Sequence, residues 1–340
     1  MRYLTQDVNV SAHLIDMGKS LQEITEPLKS RLSEVDKSIV AQLSTGIPLL
    51  DESALHLFSK GGKRIRAALV LLTSGLYGKD PQGITELAAA AEIVHAATLV
   101  HDDIIDQAIV RRGLPAVSKK FGEKAAVLAG DYMYTKGLNA AIEYGVPAIF
   151  PVMVSGTGDM VKGELYQLQY SNIDAITEEH YYNIIELKTA RFMGTCTKIG
   201  AIMGGLSETE CENMRLYGLK IGLAFQIIDD TLDIVEDEGT TGKDSANDFL
   251  DGKITLPFIY FLNNTSEKEK AEIIAIMKNP SLEKWNAIKK RIVETGGIEY
   301  ATKAAEKLVN EACSILLPFP ESKSKTILDE IAAFIVDRDF

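Results

Sequence analysis

Two copies of one acidic motif, 127 residues apart, constrain this chain more than any other feature. The first, HDDIIDQAIVRRG, carries Asp102, Asp103 and Asp106; the second, QIIDDTLDIVEDEG, carries Asp229, Asp230 and Asp233. Each reads Asp-Asp-x-x-Asp within an apolar stretch of helical character. Residues i and i+4 of a helix share a face, about 6 Å apart along the axis. Asp102 therefore projects with Asp106, and Asp229 with Asp233. Three carboxylates in one turn repel each other, more strongly around a cavity than in bulk water. A folded protein keeps such a cluster cheaply only where cations neutralise it. All-oxygen ligation suits a hard ion, most naturally Mg2+, which retains waters and bridges to substrate phosphates. One such cluster could be a solvated acidic face; two identical ones in hydrophobic helices argue against that.

Composition sets the outer bounds. The chain has 340 residues, 46% of them hydrophobic, enough to bury a large core in one big domain or two. A net charge of -12, with no long Lys/Arg block, argues against nucleic-acid binding. Cys196, Cys211 and Cys313 are widely spaced and form no CxxC, so they read as small buried hydrophobes in a reducing compartment. No apolar run reaches transmembrane length, and MRYLTQDVNVSAHLID lacks the layout of a secretory signal. A soluble, cytoplasmic protein is expected.

Helix periodicity dominates the chain. Leu28, Leu32, Val35, Ile39 and Leu43 recur at steps of three and four, and Pro27 suits a first helical turn, so a preceding helix ends near Thr25. Helices are predicted over about 63–77, stopped by Gly78 and Pro81, and over about 85–110. Others fall at roughly 123–144, 147–170, 178–204, 208–236, 255–263, 267–277, 281–295, 297–315 and 322–337. The two-sided apolar stretch LAAAAEIVHAATL reads as a helix buried within a bundle. There is no convincing strand alternation and no linker. The expectation is a single all-α domain over 1–340, one large helical bundle, with about 1–17 a loosely ordered extension. The repeated motif points to two helices facing each other across a central cavity.

Basic residues complete the picture. Gly61-Gly62-Lys63-Arg64-Ile65-Arg66 joins flexible glycines, a helix amino terminus and cations, a setting for phosphate. The GxxxxGK spacing of a nucleotide P-loop is absent. Arg111 and Arg112 follow Asp106 by a little over one turn, with Gly113 read as the end of that helix. Paired guanidiniums beside a carboxylate cluster suit diphosphate oxygens. Lys188 and Thr189 in ELKTARF, and Lys243 and Lys253 in TTGKDSANDFLDGKITLP, add donors. His95 stands seven residues before Asp102, two turns up the same face. A lone His there is more often a satisfied core group, so its role rests on its neighbours.

Taken in order, GGKRIR, HDDIID with RRG, GDYMYTKG, GELYQ, LKTA, FQIIDDTLD and GKD followed by DGKITLP resemble the trans-prenyl diphosphate synthases, or polyprenyl synthetases, over almost the whole chain. The resemblance implies an isoprenoid synthase fold, all-α around a deep central cavity, usually in a homodimer. It implies Mg2+, about three ions with substrate bound, held by Asp102, Asp103 and Asp106 on one side and by Asp229, Asp230 and Asp233 on the other. An allylic diphosphate would be held by Arg111, Lys188, Thr189, Gln226, Lys243 and Lys253. Isopentenyl diphosphate would occupy a neighbouring basic pocket of Lys63, Arg66, His95 and Arg112. Asp102, Asp106, Arg111, Lys188, Asp229 and Lys243 would carry the chemistry.

No residue of either set is missing, which favours an active enzyme over a non-catalytic subunit of a heteromeric prenyltransferase. A terpene cyclase would need no isopentenyl pocket, and a head-to-head condensing enzyme would be expected to lack GGKRIR. Within related enzymes the position five residues before the first aspartate faces the tail channel, and here it is Ala97, with Thr98 beside it and Val94 and Ile93 one turn further. A methyl group leaves the channel open, so a C30–C50 product is expected, over farnesyl or geranylgeranyl diphosphate. Transient membrane contact would serve release of such a product.

Overall fold

Local capping chemistry opens the bundle. Ser20 and Glu23 form a reciprocal capping box that starts α1 (Leu21–Thr25). Pro27 is admitted in a 3-10 turn, Glu26–Leu28, which leads into α2 (Lys29–Leu43). There Val35, Ile39 and Leu43 are fully buried on one face, as their spacing predicts. The computed structural model describes residues 19–144, 146–170, 176–235, 253–277 and 281–337. The expected amino-terminal extension thus lies outside the described residues.

After α2 come α3 (Pro48–Leu55), a 3-10 turn (His56–Phe58), α4 (Ile65–Ser74) and α5 (Ile84–Ile105). A short antiparallel hairpin follows, β1 (Val110–Arg111) with β2 (Leu114–Pro115), pairing Val110 with Pro115 and Arg111 with Leu114. Next are α6 (Val117–Phe121), α7 (Glu123–Glu143), α8 (Ile149–Gln169), α9 (Glu178–Ile185), a π-helical segment (Glu186–Ala190), α10 (Arg191–Met203) and α11 (Glu208–Val235). The remaining helices are α12 (Leu256–Asn263), α13 (Glu267–Met277), α14 (Leu282–Glu294), α15 (Gly297–Leu316) and α16 (Lys323–Val336).

α5 packs along α7 and against α2 and α4, which buries Ala88, Ala89, Ala90 and Ala91 completely. Its small side chains let neighbours approach on several sides at once. α10 lies against α4, α8 and α11, and α11 continues onto α15. The buried apolar side chains join into one cluster. A cavity of about 380 Å³ remains between the carboxyl end of α5 and the middle of α11, walled by α8, α9, the π segment and residues 253–255. Among the described residues no helix is long and apolar enough to cross a membrane.

The structure departs from the sequence reading at element ends. α5 stops at Ile105 rather than near 110, with Asp106 as its C-cap. Gln107 takes a left-handed φ of 52°, its N–H donating to the Ile104 carbonyl at 3.2 Å while Ala108 N–H reaches the Asp103 carbonyl at 2.9 Å. That pairing is a Schellman motif, built here on glutamine where glycine is usual. Arg112 and Gly113 then form the hairpin tip with φ of 52° and 72°, the signs a type I′ turn requires. Gly113 thus permits a turn rather than ending a helix, and Arg111 and Arg112 are displayed by a hairpin. Helix α6 and the π interruption within 178–204 were not expected, and for α3, the helix that precedes GGKRIR, the sequence suggested no bounds. Each is too short to show a helical period of its own.

Candidate active site

The two acidic motifs do not present three equal carboxylates. Asp103 is fully buried, and its Oδ1 accepts from Arg111 Nε at 2.7 Å and Nη2 at 2.5 Å. Asp230 is 8% exposed and accepts from the Tyr181 hydroxyl at 2.6 Å and Gln226 Nε2 at 2.8 Å. In each motif, then, the second aspartate is held by protein donors. Asp103 Oδ2 remains buried without a hydrogen-bond partner, and Asp230 lines the cavity between α5 and α11. Asp102, Asp229 and Asp233 are half-buried and Asp106 is exposed. Burial pushes the Asp102 carboxyl up to about 7; Glu164 and Asp106 add to the rise, while Lys188 and Arg111 oppose it. A carboxyl so placed is short of positive charge.

Lys188 and Thr189 owe their position to the π segment, a distortion common at functional sites. That segment is gripped from both sides by glycines. A Cβ on Gly163 of α8 would lie 2.7 Å from Lys188 N, and one on Gly222 of α11 would lie 2.6 Å from Ala190 Cα. No larger residue fits at either place. Lys188 Nζ contacts Glu164 Oε2 at 2.5 Å and donates to Gln167 Oε1 at 2.9 Å, while Thr189 Oγ1 donates to Gln226 Oε1 at 3.0 Å. Thr189, Gln226, Asp230 and Tyr181 therefore form one continuous hydrogen-bonded chain. Asp106, Lys188, Thr189, Gln226, Asp230 and Lys253 all line the cavity, with Leu168, Tyr170, Ile176, Ile184 and Ile185 supplying an apolar wall. Lys243 lies outside the described residues.

The basic residues form a second cluster. Burial and the charges of Arg66, Arg112 and Arg111 hold the His95 imidazole well below its ordinary range, so it is neutral at pH 7. Burial lowers Arg66 and Arg112 as well, with Glu92 opposing and neighbouring guanidiniums adding to the effect. Arg66 Nε is buried without a hydrogen-bond partner. A Cβ on Gly62 would meet Arg112 Nη1 at 3.3 Å, so the hairpin tip leans against the GGKRIR backbone. Arg64 instead serves the fold. It has a left-handed φ of 48°, donates to Asp36 Oδ1 at 2.7 Å and lies 5.2 Å from the Phe58 ring centroid. Lys63 is exposed at the same loop. Crowded guanidiniums with an orphan donor are the electrostatic complement of a polyanion.

Among the described residues no three acidic, His or Cys side chains converge tightly enough to hold an ion alone. Mg2+ needs only one or two carboxylates, since it shares its coordination with waters and substrate phosphates. Asp102 with Asp106, and Asp229 with Asp233, offer such pairs. The donor set fits the metal.

The polyprenyl synthetase family matches residues 47–295, which include both acidic motifs and every basic residue named above. The chain belongs to this family. It is 37% identical to the short chain isoprenyl diphosphate synthase of Methanothermobacter thermautotrophicus, over 94% of this chain and all of that one. It is 31% identical to the octaprenyl diphosphate synthase of Escherichia coli, over 94% and 99%. The crystal structure of a Caulobacter crescentus polyprenyl synthase complexed with calcium and isoprenyl diphosphate superposes with a TM-score of 0.88 at 28% identity, covering 94% of this chain and 98% of that one. The protein is thus a prenyltransferase of the trans-prenyl diphosphate synthase family, a metal-dependent class with the helical isoprenoid synthase fold.

Sequence reasoning gave no role to Glu164, Gln167 or Tyr181. The first two stand three apart in GELYQ, after the glycine that admits Lys188, and that spacing was the available signal. Tyr181 carried none. Ala97, Val94 and Ile93 are fully buried; a Cβ on Gly137 of α7 would lie 2.4 Å from Val94 Cγ2, and Thr98 Oγ1 donates to the His95 carbonyl at 2.7 Å. None of the four is among the side chains lining the 380 Å³ cavity.

Proposed function

We propose that this protein condenses isopentenyl diphosphate with an allylic diphosphate to give an all-trans polyprenyl diphosphate of C30–C50. The observation that carries the reading is a cavity lined by residues of both acidic motifs together with Lys188 and Lys253, in a protein that also gathers Arg66, Arg111 and Arg112 about His95. Mg2+, when bound by Asp102, Asp106, Asp229 and Asp233, supplies the charge that makes diphosphate a competent leaving group. Lys188, Thr189, Gln226 and Lys253 hold the allylic diphosphate oxygens, with Arg111 braced for the same task by Asp103, and Lys243 belongs to this group. The allylic C–O bond breaks with both electrons leaving on diphosphate. Tyr170, Ile176, Ile184 and Ile185 keep water from the resulting cation. Lys63, Arg66, His95 and Arg112 fix isopentenyl diphosphate so that its double bond attacks C1. Loss of a proton to the released diphosphate restores an alkene, five carbons longer. Holding two polyanions side by side removes much of the entropic barrier.

The methyl group of Ala97 supports the long product. The 37% identity to a short chain synthase favours C15–C20 instead, and product sizing separates the two. A row of exposed apolar residues on α8, Phe150, Val154, Val161, Leu165 and Leu168, beside Val127 and Leu128 of α7, supports a homodimer through that face. Purified protein is to be incubated with isopentenyl diphosphate, farnesyl diphosphate and Mg2+, with chelator as control, and the extract sized by reversed-phase chromatography. No metal-dependent elongation would refute the activity; a product of C20 or shorter would refute the chain length alone.

A further inference from the structure

His56 lies outside the acidic motifs and the basic pocket, yet it touches the segment that presents Arg111 and Arg112. Its ring is buried, 6% exposed, in the 3-10 turn just before the GGKRIR loop. Nε2 lies 2.9 Å from the carbonyl oxygen of Pro115, and Nδ1 lies 3.3 Å from Lys120 Nζ. A carbonyl oxygen only accepts and an ammonium only donates, so the proton belongs on Nε2 and the lone pair on Nδ1. The ring also meets Phe121 edge-on, with centroids 5.5 Å apart at 83°. All three partners come from 115–121, the base of the hairpin and the helix that continues it. Pro115 is itself the strand partner of Val110, next to Arg111.

Two arms therefore meet at one side chain. One arm is the loop with Lys63 and the first turn of α4 with Arg66, which follow the turn that holds His56. The other is the hairpin, whose tip, Arg112, sits in a left-handed conformation and leans over Gly62. A two-residue hairpin is marginal by itself, and its tip is only as well placed as its base. We propose that His56 is a positioning residue that clasps the base of the Arg111–Arg112 hairpin to the GGKRIR arm, and so sets the spacing of the diphosphate-binding cations across the basic pocket. It acts through Arg112 and does not touch substrate. The inference rests on the isopentenyl diphosphate reading of that pocket.

The test is steady-state kinetics on full-length His56→Ala, His56→Gln, His56→Asn and Lys120→Met, each varying one substrate at saturating levels of the other. The amide nitrogen of glutamine can stand where Nε2 stood, whereas that of asparagine falls short at Nδ1. His56→Ala and His56→Asn should raise the KM for isopentenyl diphosphate roughly tenfold and leave the KM for the allylic substrate within about twofold. His56→Gln should restore most of the loss, and Lys120→Met should show a smaller rise of the same kind. If His56→Ala does not fold, the contrast between His56→Asn and His56→Gln decides. Equal changes for both substrates, or no rise in any variant, would overturn the clasp. A wild-type protein that fails to condense isopentenyl diphosphate at all would sink the functional reading and the clasp with it. An active wild type with unaffected variants would sink the clasp alone.

Discussion

At the scale of the residue, the site divides labour among chemically identical side chains. Asp102 faces Lys188 and Glu164, whereas its neighbour Asp103 is fully buried against Arg111. Asp102→Asn or Asp229→Asn should leave the helical circular dichroism intact and reduce turnover by orders of magnitude, because charge neutralisation in the transition state is lost. Near-native turnover at saturating Mg2+ would remove either residue from the metal site. Without metal, the folded-state value of about 7 for Asp102 lies above the 3.8 of a free carboxyl, so the folded state binds this proton more tightly. Its stabilising effect is complete below pH 3.8 and is lost as pH rises through about 7. Asn does not titrate. In chelator, the melting temperature of Asp102→Asn should therefore gain on wild type as pH is raised across that window, and a constant difference would count against the buried carboxyl. The cations divide by substrate. Lys63→Ala should raise KM mainly for isopentenyl diphosphate and Lys188→Ala mainly for the allylic diphosphate, by about ten- to a hundredfold for contacts of about 1.5–3 kcal/mol. The reverse pattern would exchange the two pockets.

At the scale of the element, function sits where regular helices are interrupted. The Schellman end of α5 turns the chain so that Arg111 and Arg112 sit on a hairpin, and the π segment places Lys188 and Thr189 together on the cavity wall. Each interruption is sustained by packing: Asp103 grips Arg111, and Gly163 and Gly222 close on the π segment. The interior of α5 poses the question of product length. Ala97 is fully buried, so Ala97→Tyr can be accommodated only if a channel opens beside it. If the tail runs there, the variant should give C15–C20 products with its melting temperature nearly kept. If Ala97 merely packs against neighbouring helices, overpacking should cost about 1–3 kcal/mol and leave product length unchanged.

At the scale of the whole molecule, one apolar core supports two polar half-sites of opposite sign. Burial and neighbouring carboxylates push Asp102 up to about 7 while guanidiniums crowd around His95, so one half-site is the complement of a metal ion and the other of a diphosphate. The outer surface carries an apolar face. Leu165 is 62% exposed and Leu128 65%, in a run of large aliphatics along α7 and α8 that a monomer would leave in water. Leu165→Glu should shift the protein toward monomer in analytical ultracentrifugation at micromolar concentration. A wild type that sediments as a monomer would remove the dimer from the proposal.

Most of the helices were legible because a 3.6-residue period is a local property: Val35, Ile39 and Leu43 share a buried face wherever the chain leads next. The pairing of Asp102 with Asp106, and the presence of cations to match, follow from the same local geometry. What the sequence could not show is which protein donors hold the second aspartate of each motif. They include Arg111, eight residues beyond Asp103, and Tyr181, a helix away from Asp230. Nor did it show that 186–190 would widen into a π turn, since two glycines on other helices create that space. His56 likewise resembles any buried histidine until Pro115 and Lys120 are folded against it. Local periodicity determined the helices and the types of charge they carry; long-range packing alone decided which of those charges face one another.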